Sequence, residues 1–160
     1  MRVLVIIAAL VVATFVRTEV AKADEIFKAT LSGDQEVPPV DTVTAGKVKI
    51  RINDTATAGE FSLTVNDGVR VQQSHIHCGQ PGENGPVIVF LAGFHALGWD
   101  VDGQWVSNAT FTDDNMMNRT SPCGATLGEL IQAMRDGNTY ANVHTVANPG
   151  GEVRGLIVKQ

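Results

Sequence analysis

Alternating polar and apolar side chains mark much of the chain as β-strand. From Lys47 to Ile52 every second residue is apolar, and the same alternation returns at Phe61, Leu63 and Val65 after a stretch of turn residues. Side chains two apart in a strand point to one face, so these segments are predicted to be antiparallel hairpin partners with one buried face. Further strands are predicted over residues 26–31, 69–78, 87–91, 105–111, 140–145 and 152–158.

One turn and one helix complete this pattern. Residues 66–68, Asn-Asp-Gly, are typical of turns and are expected to separate segment 61–65 from segment 69–78. Thr126 and Glu129 have the spacing of a capping box, and apolar residues at helical spacing follow until Gly137. Many short strands with one short helix predict a single all-β domain, an antiparallel β-sandwich or flattened barrel.

The first 23 residues are predicted to be a secretory signal peptide. They have a basic start at Arg2, an apolar run over residues 3–16, and small residues at Ala21 and Ala23. The apolar run is shorter than the ~20 residues that a membrane-spanning helix needs. We therefore expect a mature domain of residues 24–160, secreted to the extracellular space or periplasm, with no membrane span after cleavage.

The charge balance argues against two classes of partner. The chain has 12 Lys+Arg against 17 Asp+Glu, a formal net charge of -5, and no run of basic residues. Nucleic acids and anionic membrane surfaces attract basic patches, so neither is expected as a partner.

Two cysteines have two possible roles. In an oxidising compartment Cys78 and Cys123 are expected to form a disulfide. In the alternative interpretation, Cys78 is a thiolate metal ligand beside His77.

Histidines carry the strongest chemical signal. His75 and His77 are two apart in a predicted strand, so their rings stand side by side, and His144 lies in another predicted strand. If His144 faces the first two, the three imidazoles form a site suited to copper or zinc. The alternative is that they are ordinary surface or hydrogen-bonded core residues. His95 lies in a predicted loop and needs no functional explanation.

Four blocks of the chain resemble the CHRD domain, which occurs in chordin and in many secreted microbial proteins. They are Leu-Ser-Gly-Asp-Gln-Glu-Val-Pro-Pro-Val at 31–40, His-Ile-His-Cys-Gly at 75–79, Tyr-Ala-Asn-Val-His-Thr at 140–145, and Asn-Pro-Gly-Gly-Glu-Val-Arg-Gly at 148–155. The resemblance implies an immunoglobulin-like β-barrel and no generally established reaction. The family commonly has glycine after its H-x-H, where this chain has Cys78.

A more distant similarity concerns the copper-zinc superoxide dismutases, which also have an H-x-H on one strand, a late V-H and a C-terminal strand with glycine and arginine. This similarity implies that His75, His77 and His144 are copper ligands and that Arg154 guides the anion. The dismutase zinc loop is missing, so any centre is expected to be mononuclear, with His95 as a candidate fourth ligand.

Three functions therefore stay open. The first, which the scattered basic residues favour, is a secreted binding module that holds copper, or zinc as second choice, without turnover. The second is a copper-dependent enzyme of the superoxide-dismutase type. The third is a metal-free domain in which Glu152 and Arg154 form a surface pair and the loop of residues 79–85 contacts an extracellular protein or glycan.

Overall fold

The helices and strands are those of a computed structural model that describes residues 23–160, so the predicted signal peptide lies outside the described residues except for Ala23. The elements are β1 (Glu25–Leu31), β2 (Ala45–Ile52), β3 (Gly59–Cys78), β4 (Val87–Ala92), β5 (Trp99–Phe111), α1 (Leu127–Arg135), β6 (Thr139–Thr145), β7 (Val153–Leu156) and β8 (Val158–Lys159). Short 3-10 helices lie at Gly33–Gln35 and Asp113–Asn115. No helix within this part of the chain is long and apolar enough to span a membrane.

The long strand β3 organises the sheet, because it pairs along both of its edges. Its first half pairs with β2 and β5, and its second half pairs with β6 and β4. All of these pairings are antiparallel, and the strand order runs β7-β6-β3-β2-β1-β8. The predicted hairpin of β2 and β3 is confirmed, with Val48 opposite Leu63 and Ile50 opposite Phe61.

The predicted turn at residues 66–68 is wrong, because β3 continues through it. Asp67 and Arg70 have φ of 53° and 51°, which is the left-handed region, and the register with β5 shifts on either side of Gly68. Residues that favour positive φ serve bulges as well as turns, and a bulge bends a strand without reversing it. The bend lets one strand contribute to both halves of the sheet.

The two outer parts of the sheet meet where β1 approaches β7. Ser32 and Arg154 exchange two backbone hydrogen bonds of 3.0 and 3.1 Å across this junction. A Cβ at Gly155 would lie 2.1 Å from the carbonyl oxygen of Thr30, so only glycine permits this approach. The junction nearly closes the sheet into a barrel, which confirms the predicted all-β, immunoglobulin-like antiparallel fold with one short helix.

The barrel interior is filled by the apolar members of the alternating strands. Ile76, Ala141, Val143 and Val153 have no exposed surface, and they share the core with apolar residues of β1, β2 and α1. Burial of this kind is the main stabilising term of the fold. It also fixes which side chains of β3 and β6 point outward, because neighbours in a strand alternate between faces.

Helix α1 begins as predicted and is tied to the sheet by a disulfide. Thr126 and Glu129 form the expected capping box, and Gly137 has φ of 73° just beyond the helix. Cys78 at the end of β3 is bonded to Cys123, so the interpretation of Cys78 as a thiolate ligand is wrong. Closing a separation of 45 residues stabilises the fold by about 4 kcal/mol in the chain-entropy description.

Candidate metal centre

Three histidines occupy the outward face of the sheet where β3 and β6 pair. His75 lies opposite Asn142, and His144 follows two residues later on the same strand. Paired residues of antiparallel strands point to the same side, so His75, His77, Asn142 and His144 share one face while Ile76 points into the core. Strand pairing thus brings together the residues singled out in the sequence.

The three rings lie close enough to share one ion. One ligand atom from each of His75, His77 and His144 lies within 4.8 Å of the others. Nδ1 of His75 is 3.0 Å from Nε2 of His144. Nitrogens bound to one metal at about 2.0–2.1 Å are themselves about 3–4 Å apart, so small side-chain adjustments suffice. We call these three residues the His cluster.

Backbone carbonyls fix the orientation of two of the rings. Nδ1 of His77 is 2.8 Å from the carbonyl oxygen of Gly85, and Nδ1 of His144 is 2.9 Å from that of Pro149. A carbonyl can only accept, so each Nδ1 carries the proton and, in the neutral ring, each Nε2 is the acceptor nitrogen. Metal-binding histidines commonly have this arrangement, in which the second nitrogen is held by a backbone or carboxylate oxygen.

Burial keeps the His cluster uncharged. His75, His77 and His144 are only 3%, 8% and 6% exposed. Burial, reinforced by repulsion from His144 and His77, lowers the pKa of His75 to about 3, and burial is also the main cause that lowers the pKa values of His77 and His144. The rings are therefore neutral at physiological pH, and a metal has no proton to displace from the free nitrogens.

Two of the ring nitrogens lack a partner. Nε2 of His75 and Nε2 of His77 are buried and have no hydrogen-bond partner among the described residues. Buried polar atoms without a partner are rare in native proteins, and an ion is one explanation for them. The donor set of neutral imidazoles suits copper and zinc.

Aromatic rings cover the His cluster. Phe90 of β4 packs edge-on against His75, with ring centroids 4.4 Å apart. Tyr140 of β6 stacks on His77, with centroids 4.7 Å apart and planes 9° from parallel. These contacts separate the imidazoles from solvent and restrict their rotation.

Arg154 is buried beneath a loop, contrary to the predicted surface pair. It is 2% exposed and its guanidinium lies 3.5 Å from the centroid of the Tyr140 ring. Its Nη1 donates to Oδ1 of Asn84 at 3.0 Å, and its Nη2 donates to the carbonyl oxygens of Glu83 at 2.6 Å and Gln80 at 3.4 Å. These acceptors belong to residues 79–86, which we call the covering loop.

Glu152, the other member of that predicted pair, has partners of its own. Its carboxylate accepts hydrogen bonds from Thr42, Thr145 and Asn148, and it is buried. Side chains two apart in a strand do share a face, but here the surrounding segments supply partners to each member separately. The prediction failed because β7 is covered rather than exposed.

The covering loop reaches the His cluster through Gly85. A Cβ at Gly85 would lie 1.5 Å from the carbonyl oxygen of Cys78, so this position requires glycine. The close approach places the Gly85 carbonyl oxygen on His77, while Asn84 also donates to the carbonyl oxygen of Val37 at 2.7 Å. Arg154 and Gly85 together hold the loop over the candidate site.

His95 does not join the His cluster. Its ring packs on Trp99 with centroids 4.5 Å apart, and its backbone N–H donates to the carbonyl oxygen of Gln72. The structure therefore does not place His95, the candidate fourth ligand, beside the three residues of the His cluster.

Two further buried groups were not recognised from the sequence. Asn142 is 2% exposed, and its Oδ1 lies 3.0 Å from Nε2 of His144. Its position on the face of His144 was visible from strand alternation, but nothing indicated its function. Glu36 has a buried Oε1 without a partner among residues 23–160, and burial raises its pKa to about 7.

Comparison with known proteins identifies the family. The family model of the CHRD domain matches residues 27–157, which is well over half of the chain. No curated protein and no solved structure matches the chain. The blocks singled out in the sequence all lie within the matched range, and they include the three histidines. The chain therefore belongs to the CHRD domain family.

Proposed function

We propose that this protein is a secreted CHRD-domain module that holds one transition-metal ion, copper in the first place and zinc in the second, through His75, His77 and His144. The observation that carries the proposal is the convergence of three buried, neutral imidazoles, two of which have a buried nitrogen without a partner. A metal ion supplies the missing partner, and imidazole is a common ligand of both metals.

The surroundings support binding rather than turnover. A dismutase of the copper type needs an open coordination position and a cation that guides the anion to it. Here Phe90 and Tyr140 cover the rings, and the guanidinium of Arg154 donates to the covering loop. We therefore assign Arg154 to the positioning of the loop.

Three features support the extracellular location within this proposal. Residues 1–23 have the pattern of a secretory signal peptide. The disulfide between Cys78 and Cys123 is stable in oxidising compartments. The CHRD family itself occurs in secreted proteins. The protein or glycan partner of the module is left unassigned.

Metal titration of the mature protein tests this function. The variants His75→Gln and His77→Gln each remove one imidazole and keep a polar side chain, while His95→Gln removes a histidine outside the His cluster. We expect one copper or zinc ion per chain for the wild type and for His95→Gln. We expect affinity to fall by more than about 100-fold in the two cluster variants, since even the loss of an outer hydrogen-bond partner costs about 10–100-fold. Equal affinity in all four proteins overturns the proposal.

A further inference from the structure

We infer that the His cluster selects monovalent copper over divalent copper and zinc, because its donors are uncharged and enclosed, and that Asn142 keeps the donor set uncharged. This inference rests on the function proposed above and names the form of the metal.

The donor set carries no negative charge. Among residues 23–160, the group of side chains that converges here consists of three histidines and contains no carboxylate or thiolate. Cys78, next to His77 in sequence, is bonded to Cys123 and cannot act as a thiolate. The carboxylate of Glu152 is directed to hydroxyl and amide groups of other segments.

A positively charged side chain lies close to the His cluster. The guanidinium of Arg154 lies against the ring of Tyr140, which itself stacks on His77. A cation on the far side of the Tyr140 ring repels a metal ion bound by His77. It repels a divalent ion twice as strongly as a monovalent one. Neutral donors next to a cation therefore favour a monovalent metal ion over a divalent one.

Enclosure increases this preference. The cost of moving an ion from water into a buried site rises with the square of its charge, so a divalent ion costs about four times as much as a monovalent ion of similar size. A divalent ion usually offsets this cost with an anionic ligand or a bound hydroxide. The three rings are at most 8% exposed, and the cavity of about 470 Å³ near the covering loop is lined by residues of that loop, the disulfide and helix α1, not by the His cluster.

Asn142 supplies an oxygen donor without charge. Its Oδ1 faces Nε2 of His144 at 3.0 Å, and that nitrogen has a lone pair because Nδ1 gives its proton to Pro149. Nδ1 of His75 also lies 3.0 Å from that nitrogen, so a cation bound there would replace this hydrogen bond and would meet Oδ1 of Asn142 as a neutral oxygen donor. A carboxylate of almost the same shape at this position would add the missing negative charge.

The variant Asn142→Asp replaces the neutral amide by a carboxylate. The control Asn108→Asp introduces the same charge at an exposed position of β5. Copper(I) affinity is measured anaerobically against a colorimetric Cu(I) chelator with ascorbate as reductant, which leaves the disulfide intact. Copper(II) and zinc(II) affinities are measured by competition with chelators of known affinity. Near-ultraviolet circular dichroism checks that all variants keep the native fold.

We expect the wild type and Asn108→Asp to bind copper(I) more tightly than copper(II) by about 100-fold or more. This ratio equals a rise in the reduction potential of bound copper of about 120 mV relative to the free ion, at 59 mV per tenfold for one electron. In Asn142→Asp the preference is expected to fall by at least about tenfold, because the carboxylate attracts the divalent ion more strongly.

The possible outcomes are distinct. If the wild type binds copper(II) or zinc(II) as tightly as copper(I) while His77→Gln binds none, the metal site stands and the selectivity inference is overturned. If Asn142→Asp has the same preference as Asn108→Asp, the assignment of Asn142 is overturned. If the wild type and His77→Gln bind every ion alike, the proposed function itself fails.

Discussion

Replacing Arg154 by methionine is expected to destabilise the protein and weaken its proposed metal site together. Methionine keeps much of the side-chain volume but removes the hydrogen bonds to Asn84 and to the carbonyl oxygens of Glu83 and Gln80. It also removes the cation that lies 3.5 Å from the ring centroid of Tyr140.

The expected loss of stability follows from these contacts. Two of the hydrogen bonds have donor–acceptor distances of 3.0 and 2.6 Å, and bonds to a charged group each contribute about 1.5–3 kcal/mol. The cation–π contact adds about 1–2 kcal/mol when it is desolvated. Methionine carries no charge that must be removed from water on folding, and this gain offsets part of the lost hydrogen-bond and cation–π energy. We therefore expect the free energy of unfolding to fall by about 2–4 kcal/mol.

Urea denaturation measures this loss, and Arg119→Met is the matched control. Arg119 also donates to two backbone carbonyl oxygens, those of Ala125 and Asp113, but it is exposed. Its loss is expected to cost less than about 1 kcal/mol. Copper(I) affinity is expected to fall about tenfold in Arg154→Met, because losing the covering loop that positions the Gly85 carbonyl on His77 outweighs the relief of the guanidinium's repulsion of a monovalent ion. If both variants unfold at the same urea concentration, the burial argument is wrong.

Two further predictions concern Glu36 and Gly85. Burial raises the pKa of Glu36 to about 7 from 4.5, so the folded state holds this proton more tightly and stability falls as pH rises between these values. The free energy of unfolding, measured with urea at pH 5 and at pH 8, should therefore differ less between the two pH values in Glu36→Gln than in the wild type. An equal difference in both proteins would contradict the assignment. Gly85→Ala places a methyl group 1.5 Å from a backbone oxygen, whereas Gly93→Ala meets nothing within 4 Å. Thermal unfolding should show a loss in the first variant of at least about 2 kcal/mol and little change in the second; equal melting temperatures would refute the steric argument.

Local patterns predicted much of the fold and the His cluster. The β2–β3 hairpin follows from strict alternation, and the helix start follows from a capping box, because both signals act between residues close in sequence. His75 and His77 were placed side by side for the same reason. Their convergence with His144 needed the pairing of β3 with β6, which strand alternation permits but does not determine.

Contacts between distant segments account for the predictions that were wrong or missing. The residues at 66–68 favour positive φ in a bulge as much as in a turn, and pairing with β2 and β5 decides between them. Arg154 was wrongly expected at the surface. Its partners lie in the covering loop, about 70 positions earlier in the chain, and local sequence patterns do not reveal such a distant contact. Asn142 had no visible function, since its role depends on where His144 points.

The junction between β1 and β7 has a consequence for the accessibility of the proposed metal site. The backbone of Arg154 forms both hydrogen bonds to Ser32 there, and the side chain of the same residue holds the covering loop. Fraying of this edge would pull the guanidinium away from its acceptors, so ions would reach the proposed site through a transient opening of the covering loop rather than through a permanent channel. Amide hydrogen exchange at Ser32 should then slow when the protein is loaded with metal.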